Sequence, residues 1–192
     1  MDWPPLYEAV QIATAPGAQF ALTRKVKAQF SDNGDDLILD VGCGPESWLL
    51  KAGRHPVGLD IRQAYLLRSR ASLRAGVLGS GTDLPFSPAS FDQVWSVGVL
   101  HHLSDAAAAL VIVEMSRVCR RGGKVVVMDS VWPASPWTRP AAHITRKFDR
   151  GGAIRTQRAL ESLLPPNAHW TTERFTYTLT GLEMLMCWCR IE

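Results

Sequence analysis

Among the four cysteines, Cys43, Cys119, Cys187 and Cys189, there is no C-x-x-C pair, and no histidine stands at metal-ligand spacing from any of them. This argues against a thiolate metal site, so no metal is expected. All four are expected as reduced, buried, small apolar side chains. Cys187 and Cys189 alternate along an apolar stretch, so both should face one side of a strand. Long apolar runs are missing too. The longest, such as Ala106–Val113, fall far short of the ~20 residues that span a bilayer. The opening residues Met1-Asp2-Trp3-Pro4-Pro5 lack the basic and apolar regions of a signal peptide, which makes a cytoplasmic location the expectation. Charge of one sign is scarce: 21 Lys and Arg face 18 Asp and Glu, and the resulting +3 is too mild to announce a nucleic-acid partner. No RNA-binding module or tandem aromatic–basic pattern is found either.

What remains is an ordinary globular balance, with 46% hydrophobic and 20% charged residues in 192. A chain of this size buries roughly 70% of its unfolded surface. One domain over residues 1–192 is expected. An N-terminal arm, residues 1–30, carries a helix over Phe20–Phe30. Short apolar runs follow at Leu37–Val41, Val57–Ile61, Val77–Ser80, Phe91–Val99 and Lys124–Met128, and they read as strands. Helical stretches lie between them: Ser47–Gly53 leaves room for two turns, Gln63–Leu73 follows the second strand, and Asp105–Arg120 follows the fourth. Val111, Met115 and Val118 give that last helix a core stripe, and Gly122-Gly123 should stop it. Thr156–Leu164 reads as another helix. Trp170–Thr178 and Leu182–Ile191 read as a hairpin around Thr180-Gly181. Alternating strands and helices closed by a hairpin imply an α/β, doubly wound, Rossmann-like sheet with helices on both faces.

In such a sheet, ligands bind beyond the carboxyl ends of the strands, where the strand order reverses. The first strand ends Asp40-Val41-Gly42-Cys43-Gly44-Pro45-Glu46, whose glycines let backbone turn sharply and approach a ligand closely. Asp60 closes the second strand, where a carboxylate can accept from ribose hydroxyls. Two cofactor classes fit these residues: a nicotinamide dinucleotide or another adenosine cofactor. The dinucleotide fingerprint wants a third glycine where Ser47 stands, and no Tyr-x-x-x-Lys pair is present for hydride chemistry.

Further motifs follow in order: Asp83-Leu84-Pro85-Phe86, Ser90-Phe91-Asp92-Gln93-Val94, Val99-Leu100-His101-His102-Leu103, and Glu114 through Gly123. Together with Leu37–Gly44, they make the stretch from Leu37 to Asp129 resemble the class I S-adenosylmethionine-dependent methyltransferases. The likeness is to the small-molecule group with a type 11 methyltransferase domain, which includes the quinone-biosynthesis enzymes. The resemblance implies a seven-stranded sheet of order 3-2-1-4-5-7-6 with strand 7 antiparallel, and S-adenosylmethionine as cofactor. It implies that Asp40, Gly42, Cys43 and Gly44 surround the methionine end. Asp60 would bind the ribose diol and Ile61 would lie against the adenine. Ser80, Gly81 and Thr82 would meet the adenine edge, and Ser96 and Val97 the sulfonium side.

Two departures stand out. Glu46 replaces a usual glycine and should point outward or toward the cofactor's ammonium. Ser80 replaces a usual aspartate, a weaker acceptor for the adenine amino group. These departures keep a second possibility open, a non-catalytic member that binds the cofactor. For chemistry, His102 and then His101 are the candidate bases for an acceptor that must lose a proton. Glu114 and Arg117 read as a structural helix pair, and Tyr7 could reach the pocket from the arm.

Residues 132–158 form a lid insertion after strand five, with a helix near Ala141–Phe148. They hold Trp132, Trp137 and six cations (Arg139, Arg146, Lys147, Arg150, Arg155 and Arg158) against Asp149, a net +5 while the rest of the chain is −2. An anionic small-molecule or lipid-linked acceptor is expected, with peripheral contact at an anionic membrane as its boldest form.

Overall fold

The computed structural model describes residues 17–30, 36–135, 137, 139–147 and 152–192. Tyr7, Arg150 and the side chain of Lys147 lie outside the described part. Seven strands form one sheet: β1 (Ile38–Val41), β2 (Val57–Asp60), β3 (Ala75–Leu78), β4 (Phe91–Val97), β5 (Cys119–Val131), β6 (Thr171–Thr176) and β7 (Glu183–Arg190). Their order is β3-β2-β1-β4-β5-β7-β6. The pairs among β3, β2, β1, β4 and β5 are parallel, and β7 runs antiparallel to both β5 and β6. The helices are α1 (Ala18–Lys27), α2 (Trp48–Lys51), α3 (Gln63–Ser69), α4 (Asp105–Val118), α5 (Pro140–Lys147) and α6 (Gln157–Glu161), with one 3-10 turn at Leu100–His102. Among the described residues no helix is long and apolar enough to cross a membrane.

The two-residue period of the strands divides the core. Val125 and Val127 of β5 pack with Leu39, Val94 and the α4 stripe Val111, Ile112, Met115 and Val118. Val126 and Met128 face the other way, onto Leu22 and Val26 of α1, Leu49 of α2 and the fully buried Trp95. Cys187 and Cys189 lie together on the α4 side. All four thiols are free and buried, and burial pushes Cys43, Cys119 and Cys187 up to about 12 and Cys189 to about 11.

Two elements differ from the sequence expectation. The third strand is Ala75–Leu78, two residues earlier than Val77–Ser80, because it pairs Ala75 with Val57 and Leu78 with Asp60. Ser80 therefore sits beyond the strand, in a turn. The long helix ends at Val118 and not at Gly122-Gly123, since Cys119 already has extended backbone and pairs with Phe91. The two glycines lie in an irregularity of β5, between the Phe91–Cys119 and Gln93–Lys124 pairs.

The segment after β5 departs more sharply from an exposed basic surface. Arg146 and Arg155 are both buried. Arg146 donates to the carbonyl of Glu183 at 2.8 Å and to Tyr177 Oη at 3.2 Å. Arg139 donates to Thr176 Oγ1 and to the carbonyl of Gly181. These guanidiniums are drawn inward because the β6–β7 hairpin and the loop after β4 present carbonyls there that need donors.

Candidate active site

The acidic ends of β1 and β2 meet at the Gly-rich turn. Asp60 accepts from Gly44 N–H at 3.0 Å through one carboxylate oxygen and from Arg62 N–H at 2.9 Å through the other. An ionised carboxylate offers about four acceptor positions, so each oxygen keeps capacity for a hydroxyl. Gly42 and Gly44 both have left-handed backbone, with φ of 73° and 62°. A Cβ on Gly42 would stand 2.6 Å from Val99 Cγ2, so a glycine is required where the ends of β1 and β4 close together.

Asp40 is fully buried, and Ser47 Oγ donates to it at 2.5 Å. Ser47 in turn accepts from Leu49 and Leu50 N–H and caps α2. Burial raises the Asp40 carboxyl to about 7, the Ser47 bond opposes this, and the neighbouring Asp60 adds to it. Cys43 turns its thiol into a small apolar cluster with Leu66 and Leu73, so only its backbone belongs to the turn. Glu46 points outward as expected, paired with Lys51 at 2.8 Å and Arg68 at 3.2 Å. The Lys51 bond above all holds its carboxyl below the usual range.

Ile61 directly follows Asp60 and is 72% exposed, an isolated apolar side chain at the strand edge. Across from it runs the turn Ser80–Thr82. Gly79 N–H donates to the Asp60 carbonyl, and a Cβ on Gly81 would touch Val41 at 3.0 Å. Ser80 Oγ lies 2.8 Å from Thr82 Oγ1 and accepts from Thr82 N–H. Glu114 and Arg117 are the expected helix pair, and they also anchor this turn. Glu114 accepts from Leu84 N–H, while Arg117 donates to the carbonyls of Leu84 and Phe86.

At the end of β4, Ser96 and Val97 are buried, and Ser96 Oγ has no hydrogen-bond partner among the described residues. The turn that follows carries both histidines. His101 Nδ1 lies 2.5 Å from Oδ1 of the buried Asp129 at the end of β5, and His101 N–H donates to its Oδ2 at 3.2 Å. His102 is more exposed, with its ring 4.0 Å from that of His101. Arg155 spans the same turn, donating to the carbonyls of Leu100 and Leu103 at 2.7 Å each and to Asp105 at 2.8 Å.

Asp129 and Arg155 were not among the site residues foreseen from sequence. Asp129 did leave a signal, since it follows an apolar run as Asp40 and Asp60 do. Arg155 left none beyond its charge.

The residues present fit an adenosine cofactor that carries a charged amino-acid end. The Gly-rich turn is open to close approach, a carboxylate with spare acceptor capacity sits at the second strand end, an exposed apolar side chain lies beside it, and a buried hydroxyl at the fourth has no partner among the described residues. Fold and site thus define a class: a Rossmann-like α/β protein with a nucleoside-type ligand edge.

Comparison with known proteins narrows the class. Residues 39–127 match the family described as the methyltransferase domain. A protein of Encephalitozoon cuniculi that bears a methyltransferase name is 34% identical over 181 residues, covering 89% of this chain and 79% of that protein. The malonyl-[acyl-carrier protein] O-methyltransferase of Erwinia billingiae is 38% identical over 95 residues, 46% of this chain and 37% of the relative. An S-adenosylmethionine-dependent methyltransferase of Thermotoga maritima shares the fold, with a TM-score of 0.75 at 14% identity, over 98% of this chain and 95% of that one. The chain belongs to the class I S-adenosylmethionine-dependent methyltransferases, and S-adenosylmethionine is its cofactor. This membership replaces the nicotinamide alternative.

Proposed function

We propose that this enzyme transfers a methyl group to a small-molecule or lipid-like, anionic acceptor, with His101 taking the proton that the acceptor loses. The observation that carries this reading is the pairing of His101 with the buried Asp129 on the strand edge that holds Asp60. The name of the Erwinia billingiae relative gives it a malonyl acceptor, which is consistent with an anionic partner here.

The bound cofactor supplies an electrophilic methyl carbon on a positively charged sulfur. Asp60 and the Gly42–Gly44 turn would hold its ribose and methionine ends, Ile61 its adenine, and Ser80–Thr82 the adenine edge. Alignment of acceptor and methyl and exclusion of water are then the chief tasks of the chain. An ionised carboxylate only accepts hydrogen bonds, so Asp129 holds the proton of His101 on Nδ1. That leaves Nε2 as the atom that receives the acceptor's proton while the acceptor oxygen takes the methyl. His102 lies beside this ring, tilted against it by 44°.

The test is transfer of labelled methyl from S-adenosylmethionine into an anion-exchange fraction of cell extract. Incorporation is expected with the wild-type chain, and roughly a hundredfold less with His101→Gln. Tight binding of S-adenosylhomocysteine with no incorporation would return the non-catalytic alternative.

A further inference from the structure

Glu183 opens β7 opposite Val131 at the end of β5, on the same sheet edge as Asp129. Its buried carboxylate takes two guanidiniums: Arg174 Nη2 stands 2.6 Å from Oε2 and Arg139 Nη1 3.4 Å from Oε1, and Ala134 N–H donates to Oε2 as well. Among the described residues, Glu183 is the only carboxylate paired with either arginine. Two cations therefore face one anion, with the buried Arg146 held to the Glu183 carbonyl beside them.

The cluster is also short of acceptors. Arg174 Nε is buried without a hydrogen-bond partner among the described residues. Among the described residues, Arg139 directs only Nη1 to a partner, toward Thr176, Gly181 and Glu183, and its side chain is 34% exposed. A guanidinium fork with unused donors matches a carboxylate or phosphate in shape and charge. Arg139 lies against Gly181, and Trp137 and Leu179, each two residues before one member of that contact, are 92% and 88% exposed. A chain of hydrogen bonds to backbone carbonyls joins the cluster to the histidine turn. Arg174 donates to the Trp132 carbonyl, Trp132 N–H to the Arg155 carbonyl, and Arg155 to Leu100 and Leu103.

We propose that Arg139 and Arg174, sharing Glu183 between them, form the subsite for an anionic group of the acceptor, a carboxylate or a phosphate, with Trp137 and Leu179 taking the apolar remainder. Arg139 is the direct donor and Arg174 supplies the second charge. The assignment rests on the reading that the acceptor enters beside His101. Glu183 competes with the incoming anion for the same donors, so substitutions on the two sides of the pair must have opposite effects.

The test follows the arginine Nε–Hε resonances of the full chain, saturated with S-adenosylhomocysteine, during titration with inorganic phosphate and separately with acetate. Arg139 and Arg174 should shift together with one dissociation constant, and the anion that binds more tightly identifies the group recognised. Arg139→Gln should weaken binding roughly tenfold, and Arg139→Lys should recover part of it. Glu183→Gln should tighten binding roughly threefold or more, while Arg158→Gln, an exposed lid cation, should leave it unchanged. The proposal is overturned by an absence of shifts with both anions, by equal affinity in Arg139→Gln, or by weaker binding in a folded Glu183→Gln chain. Should the Glu183 variant fail to fold, the comparison of Arg139→Gln with Arg139→Lys decides. Failure of S-adenosylhomocysteine to bind the wild-type chain would instead sink the methyltransferase reading, and the anion titration would still judge the subsite.

Discussion

His101 and Asp129 are 28 residues apart in the chain, yet the imidazole Nδ1 meets the carboxylate at 2.5 Å where β4 and β5 end side by side. The same carboxylate also accepts from the backbone N–H groups of His101 and Ser130. Three donors hold it, so its orientation is fixed before any acceptor arrives. Asp129→Leu keeps the approximate volume but removes the acceptor at Nδ1, which frees the ring to take the opposite tautomer. Methyl transfer should fall at least roughly tenfold with cofactor affinity unchanged. Nitrogen-15 spectra of the imidazole should show the tautomer change, and an unaltered tautomer with unaltered turnover would remove His101 from the proton path.

Asp60 has two duties, since it accepts from Gly44 and Arg62 N–H groups and has capacity left for a ribose. Asp60→Asn should lower S-adenosylmethionine affinity at least about tenfold, the loss of charge-assisted bonds worth roughly 1.5–3 kcal/mol each. The backbone contacts add a stability cost of about 1 kcal/mol, visible in the melting temperature. Calorimetry showing undiminished affinity would displace Asp60 from the ribose.

The carboxyl of Asp40 carries a pH signature. Burial raises it from 3.8 to about 7, so the unfolded chain ionises first as pH rises. Between about pH 4 and 7 the native state progressively loses stability from this group, and above about 7 the loss is complete. Asp40→Asn can still accept from Ser47 but has no charge to desolvate. It should raise the melting temperature of the cofactor-free protein by roughly 2 °C or more at about pH 8 and by little near pH 4. A scan of melting temperature against pH checks this, and a gain of equal size at both ends would contradict it.

Ser80 is the residue expected at the adenine edge, and its hydroxyl already accepts from Thr82 N–H. An aspartate there would keep that bond and present a charged acceptor, so Ser80→Asp should tighten cofactor binding severalfold, roughly 1 kcal/mol. Weaker binding by a folded variant would transfer the adenine contact to Asp83.

Much of this enzyme was written in local pattern. Alternation of short apolar runs with amphipathic helices and a terminal hairpin marked the fold, and the acids Asp40 and Asp60 pointed to the ends of the first two strands as the candidate site. Those signals survive because β and α periods are properties of neighbouring residues, and a Gly-rich turn after a strand has few conformations open to it. The start of β3 was displaced by two residues because an edge strand with little burial shows hardly any apolar pattern. The long-range partnerships were set by tertiary structure alone. Arg146 and Arg155 read as surface charge from composition, yet they fold inward because Glu183, Leu100 and Leu103 turn carbonyls toward them across 37, 55 and 52 residues. Composition counts charges but does not say which unsatisfied acceptors will stand opposite them. That depends on how strand ends abut in the sheet, and the same apposition chose His101 as the partner of Asp129.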